Sequence, residues 1–162
     1  MGGLQQNQAA GISLIAFIVA VALSVGFYQF IYVPEASQKP VLRREVVEPA
    51  EITEVVIAEG AVNAENDEFY VPADKRAILG VSNRVIWRNA DSIAHTVTTD
   101  DGYRDTYSGV FDSRVRLEEE GGPYVMPGKD FEFLFTKVGE YPYHCVPHPH
   151  MAGKIEVVEN FS

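Results

Sequence analysis

The hydrophobic pattern changes character once along this chain. Residues 9–33 form a continuous uncharged stretch with GISLIAFIVAVALSVGFYQFIYV at its heart. As a helix it is long enough to cross roughly 30 Å of hydrocarbon with some tilt. From residue 52 onward the apolar runs are short and are separated by turn signals: Val55-Val56-Ile57, Phe69-Tyr70-Val71, Ile78-Leu79, Val85-Ile86-Trp87, residues 131–135, residues 141–145 and residues 155–158. Short β-rich runs at this spacing predict an all-β sandwich, and no helical period recurs after the first stretch. Between the two regions, residues 34–52 hold three prolines and many charges and predict an extended tether. The expected organisation is a tail at 1–8, a single transmembrane anchor at 9–33, a linker at 34–52 and a β domain at 53–162.

Alternation refines the core. Phe131, Phe133 and Phe135 alternate with Glu132 and Leu134, so the three rings point to one face and fill the space between two sheets. Trp87 is expected in the same core. Val125-Met126-Pro127-Gly128-Lys129 reads as a turn before that strand. Around the anchor, Tyr28 and Tyr32 suit an interfacial aromatic belt. Residues 1–8 contain no Lys or Arg, which favours an uncleaved anchor over a signal peptide with its basic leading segment.

Charge adds two constraints. The chain carries 13 Lys and Arg against 23 Asp and Glu, a net charge of −10, and every one of these residues follows position 33. That sign disfavours nucleic acid as a partner. Acidic clusters at Asp100-Asp101 with Asp105 and at Glu118-Glu119-Glu120 read either as a solubilising surface or as a face for a basic redox partner, since complementary charge speeds encounter. Lys39, Arg43 and Arg44 follow the anchor and by the positive-inside rule alone would keep the C-terminal domain in the cytoplasm.

The chemistry concentrates in residues 145–151. The only cysteine excludes an internal disulfide framework. It stands in Cys145-Val146-Pro147-His148-Pro149-His150-Met151, which offers a thiolate, two imidazoles and a thioether to one metal ion. A thiolate and imidazoles in a trigonal plane with a weak axial thioether suit copper exchanging between Cu(I) and Cu(II). Of four histidines, three flank Cys145, which leaves His95 as the remote ligand. His148 at Cys-x2-His leaves Met151 free to act axially. His150 at Cys-x4-His is the alternative, but would make Met151 its immediate neighbour. Pro147 and Pro149 stiffen the loop, and with no N–H at Pro147 the expected donor to the sulfur is the Thr96 N–H. His144, preceding Cys145, is expected on the opposite side of its strand.

GEYPYHCVPHPHMAGKIEV at residues 139–157 resembles the copper loop of the cupredoxins, in the amicyanin and plastocyanin branch. Gly139, Tyr141, Tyr143, Cys145, Pro147, His148, Pro149, Met151, Gly153, Lys154 and Ile155 carry the likeness. Val85-Ile86-Trp87-Arg88-Asn89 followed by His95-Thr96-Val97 is similar to the first-ligand region of that family. Two departures are Thr96, where many members have Asn, and His150, where an aromatic residue is common. The resemblance implies a Greek-key cupredoxin β-sandwich holding one type 1 copper through His95, Cys145, His148 and Met151. It also implies a non-enzymatic carrier of single electrons, with the edge of His148 as the electron port. Expected partners are a c-type cytochrome or a membrane oxidase or dehydrogenase in a respiratory chain. The copper domain is then expected on the extracytoplasmic side of the cytoplasmic membrane. Competing readings are a copper-bearing subunit of a terminal oxidase and a metal storage protein.

Overall fold

The structure is a computed structural model that describes residues 2–36, 40–118 and 122–160, with side chains described outside 2–12 and 116–118. The chain divides into two compact units, 1–39 and 40–162. In the first, Gly2–Phe27 is α-helical, Tyr28–Tyr32 is a π-helical turn and Val33–Ala36 closes the element. Residues Ser13–Ala36 form a helix long and apolar enough to cross a membrane. Tyr28 and Tyr32, four residues apart and so on one face, stack with ring centroids 5.5 Å apart.

The second unit is a β-sandwich. Its strands are β1 Ile52–Ile57, β2 Tyr70–Val71, β3 Asp74–Ile78, β4 Arg84–Asn89, β5 Thr98–Thr99, β6 Arg104–Asp105, β7 Gly109–Val110, β8 Asp130–Leu134, β9 Gly139–His144 and β10 Ala152–Val158. One sheet runs β2-β1-β4-β8 and the other β3-β10-β9-β5, while β6 and β7 form a separate ribbon. The β1–β4 and β3–β10 pairs are parallel; the other named pairs are antiparallel. Alternation decides what each strand buries. Val55 and Ile57, Val85 and Trp87, and Phe131 and Phe133 face inward, together with Phe135 just beyond β8. Trp87 lies at the centre, 5.4 Å from Phe111, 5.6 Å from Phe131 and 5.4 Å from Tyr143 between ring centroids, which places aromatic pairs within their favourable range.

Two sequence expectations change here. Within 34–52, expected as an extended tether, Arg44–Val47 is a helical turn and Val46 is buried. Asn83 Nδ2 donates to the Val46 C=O at 2.8 Å and to the Phe135 C=O at 2.7 Å, and Arg84 donates to the Val47 C=O at 3.2 Å. These bonds satisfy backbone groups that an open tether would leave to water. Asp105, grouped above with a surface acidic cluster, is 1% exposed, whereas Asp100 and Asp101 are exposed. The cluster at Glu118-Glu119-Glu120 lies outside the residues whose side chains are described. The turn at 126–129 forms as expected: Lys129 N–H donates to the Met126 C=O at 2.9 Å and Gly128 takes φ of 71°. A type II turn has this arrangement, with Pro leading and Gly at the left-handed position.

Candidate metal centre

One end of the sandwich collects two loops. The first leaves β4 at Asn89, a fully buried side chain that organises the turn beyond it. Its amide donates to the Ile93 C=O at 2.7 Å and the Val125 C=O at 2.8 Å, and its Oδ1 accepts the Asp91 N–H at 2.9 Å. His95 then exchanges both backbone bonds with Val125, at 3.1 and 2.9 Å. The imidazole thus hangs from a backbone whose N–H and C=O are both held by Val125.

The second loop joins β9 to β10. His148 N–H donates to the Cys145 C=O at 3.1 Å, Met151 N–H to the His148 C=O at 2.9 Å, and Cys145 N–H to the Met151 C=O at 3.1 Å. Two tight turns, with prolines at 147 and 149, return the chain to its own start. Gly153 makes the closure possible: a Cβ there would stand 2.6 Å from Tyr143 Cζ and 2.9 Å from the Ala73 carbonyl oxygen. Any larger residue would push β10 off its neighbours.

The loops bring three donor atoms together. Cys145 Sγ lies 3.7 Å from His95 Nδ1 and 3.5 Å from His148 Nδ1, and the two Nδ1 atoms are 3.3 Å apart. A point equidistant from all three lies about 2.0 Å from each, the reach of metal–imidazole and nearly that of metal–thiolate bonds. The donor set therefore fits a small ion of borderline softness. His95, Cys145 and Met151 are fully buried, and His148 is partly open to solvent. Desolvation, followed by the neighbouring His95 and His150 rings, holds the His148 pKa below its ordinary value and so favours the neutral, ligating ring.

Asp91 is the residue that sequence reasoning missed. Its Oδ2 lies 2.8 Å from His95 Nε2. An ionised carboxylate only accepts, so Nε2 carries the proton and Nδ1 keeps its lone pair for a metal. Oδ1 accepts the Gly60 and Ser92 N–H groups at 3.0 and 2.7 Å. Desolvation works to raise the Asp91 pKa, but the bonds from His95, Gly60 and Ser92 outweigh it and hold the carboxyl below its ordinary range. The only sequence signal was a carboxylate four residues before the histidine.

Thr96 N–H donates to Cys145 Sγ at 3.3 Å, as expected. The Thr96 hydroxyl adds a link that the more common Asn would make differently: its Oγ1 accepts the Val146 N–H at 2.8 Å, tying the two loops together. His150 does not join the cluster. Its Nε2 lies 3.2 Å from the Ala61 C=O and its ring packs edge-on against Phe69 with centroids 5.0 Å apart. His144 lies on the outer side of β9, with Nδ1 2.5 Å from Asp100 Oδ1.

Comparison with known proteins gives a consistent answer. Residues 61–158 match the family described as copper binding proteins, plastocyanin/azurin family. Amicyanin of Paracoccus denitrificans is 28% identical over 121 residues, covering 75% of each chain. Amicyanin-alpha of Methylorubrum extorquens is 28% identical over 110 residues, covering 67% of this chain and 74% of its own. Among solved structures, a purple cupredoxin from Nitrosopumilus maritimus aligns with a TM-score of 0.50 at 27% identity, covering 65% of this chain and 99% of its own. On that match, over a sandwich whose two loops converge a thiolate and two imidazoles, this chain belongs to the plastocyanin/azurin family of copper-binding proteins, and its cofactor is one type 1 copper.

Proposed function

We propose that this chain is a membrane-anchored carrier that passes single electrons between respiratory redox proteins. It would hold copper through His95, Cys145, His148 and Met151, the thioether being the weakest donor of the four. The observation that carries the reading is the convergence of Sγ and the two Nδ1 atoms, two of the three groups being fully buried. When bound, copper supplies a one-electron couple between Cu(I) and Cu(II). The chain's own part is rigidity. The paired backbone bonds between His95 and Val125, the loop closure at Cys145 and Met151, and the Thr96 bridge keep the donors in place whichever charge the ion bears. His148, the donor open to solvent, is the port through which a partner is reached. The apolar helix at Ser13–Ala36 supports an anchor, and the copper domain is placed on the extracytoplasmic side of the cytoplasmic membrane, where a c-type cytochrome or membrane oxidase would meet it. Titrating the metal-free chain with Cu(II) tests the proposal: an intense visible band saturating at one equivalent and bleaching reversibly with one electron is expected, and a colourless product would refute it.

Two variants probe the surroundings of the donors. Asp91→Asn keeps the shape but weakens the acceptor on His95 Nε2, and copper affinity is expected to fall by about 10- to 100-fold. Competition with a chelator of known affinity measures this. Pro147→Ala restores a backbone N–H near the thiolate, whose only backbone donor among the described residues is Thr96. Another donor stabilises negative charge on sulfur, reduces its donation to the metal and favours the reduced state, so voltammetry is expected to show a higher potential.

A further inference from the structure

A series of packed aromatic rings, redox-active at Tyr70, Tyr143, Trp87 and Tyr103 and bridged by Phe135, leads from the metal end of the sandwich to its surface. The Tyr70 hydroxyl donates to the Thr96 C=O at 2.7 Å, and the Thr96 N–H donates to Cys145 Sγ. The Tyr70 and Tyr143 ring centroids are 4.9 Å apart, and Tyr143 is 5.4 Å from Trp87. From Trp87 the path crosses Phe135 in steps of 6.5 and 6.2 Å to Tyr103, which is partly exposed. Tyr103 also lies 4.4 Å from Tyr141.

The hydrogen bonds distinguish these rings. Loss of an electron makes a phenol a very strong acid, so a tyrosine keeps an oxidising equivalent only where a base can take its proton. Tyr70 and Tyr141 donate to backbone carbonyls, of Thr96 and Lys137, which are poor proton acceptors. The buried Trp87 Nε1–H faces at most the neutral Tyr143 hydroxyl, and neither group meets a base among the described residues. A hole on Trp87 therefore stays cationic and strongly oxidising. Tyr103 alone in this series donates to a carboxylate, Asp105 Oδ2, at 2.9 Å.

We propose that Tyr103, with Asp105 as its proton acceptor, is the sink of an aromatic relay that drains strong oxidising equivalents from the metal end through Tyr143 and Trp87. The oxidant would be a hydroxyl or alkoxyl radical, formed where a hydroperoxide accepts one electron from Cu(I) held by the site and its O–O bond breaks to hydroxide and the radical. It takes one electron and becomes hydroxide or alkoxide; the electron is drawn through Trp87 from Tyr103; the phenolic proton passes to Asp105; the products are a neutral tyrosyl radical and a protonated carboxyl. The oxidant's source rests on the copper reading, but the transfer from Tyr103 to Trp87 does not.

Trp87 is the only tryptophan in the chain, so light at the red edge of indole absorption creates the hole at one place. The full chain in detergent, loaded with Cu(II) and separately metal-free, is excited with a cobalt(III) ammine as irreversible electron acceptor. The indolyl radical is expected to decay as a tyrosyl signal rises in transient absorption and electron paramagnetic resonance. In Tyr103→Phe the tyrosyl signal is expected to vanish and the indolyl lifetime to lengthen several-fold, whereas Tyr141→Phe retains the wild-type decay. Absence of a tyrosyl signal in the wild-type chain, or an unchanged signal and decay in Tyr103→Phe, overturns the relay. Because both metal states are read, a failure of copper binding leaves this result interpretable.

Discussion

Cys145→Ser is expected to abolish the intense visible absorption of the copper-loaded chain and to leave the sandwich folded. A serine hydroxyl holds its proton at neutral pH, where a metal-bound thiol gives it up, and oxygen is a harder donor than sulfur. The trigonal set loses its one soft, negatively charged member. The fold tolerates the change because oxygen can still accept from Thr96 N–H, now bonded to sulfur at 3.3 Å, and because Cys145 N–H remains bonded to the Met151 C=O. Copper titration followed by absorption, with far-ultraviolet circular dichroism as the control, checks both halves. A variant that stays intensely coloured removes Cys145 from the site.

Asp105→Asn is expected to destabilise the domain by about 3 kcal/mol at neutral pH. One buried carboxylate here joins three segments. Its Oδ1 accepts the Tyr107 and Ser108 N–H groups at 2.7 and 3.0 Å, and its Oδ2 accepts the Thr136 N–H at 2.9 Å, the Thr136 hydroxyl at 2.8 Å and the Tyr103 hydroxyl at 2.9 Å. An amide matches this set poorly, since its NH2 would face donors. Desolvation opposes ionisation of Asp105, but the Thr136, Ser108 and Tyr107 N–H groups and the Thr136 hydroxyl more than offset it, and the pKa lies below the ordinary value. A carboxyl depressed on folding binds protons more readily when unfolded. Its stabilisation is therefore fully present above the unfolded pKa of about 3.9 and is lost as pH falls through the folded value. The wild-type chain is expected to lose stability below about pH 4, and the Asn variant to lack this component of the acid slope. Denaturant midpoints measured from neutral to acid pH give both numbers.

Asp105 also shows where sequence reading fails. A carboxylate near Asp100 and Asp101 looks like one more surface charge, because nothing local announces that Thr136 will supply two donors from 31 residues away. Asp91 is similar: its role depends on Gly60, 31 residues earlier, as much as on His95. The two-residue strands β5, β6 and β7 carry no hydrophobic period and escaped notice, as did the fully buried Phe111 beside them. β3 was legible only at its apolar end, since Asp74, Lys75 and Arg76 add no apolar position and become a strand by parallel pairing with β10.

The amino-acid order by itself determined the apolar helix, the β character of the rest, the inward face of Phe131, Phe133 and Phe135, and the packet of sulfur and imidazole donors that pairs with His95. Each of these is written in local terms: a period of two, an uninterrupted apolar run, or donors spaced within one stiff loop. Tertiary structure decided the partners of those residues. It turned His150 toward Ala61 and Phe69, aimed Asp91 at His95, folded Val46 against the sandwich and buried Asp105 beneath Tyr103. The physical reason is that hydrogen-bond satisfaction and close packing are settled between segments distant in the chain, whereas periodicity and loop stiffness are settled within one.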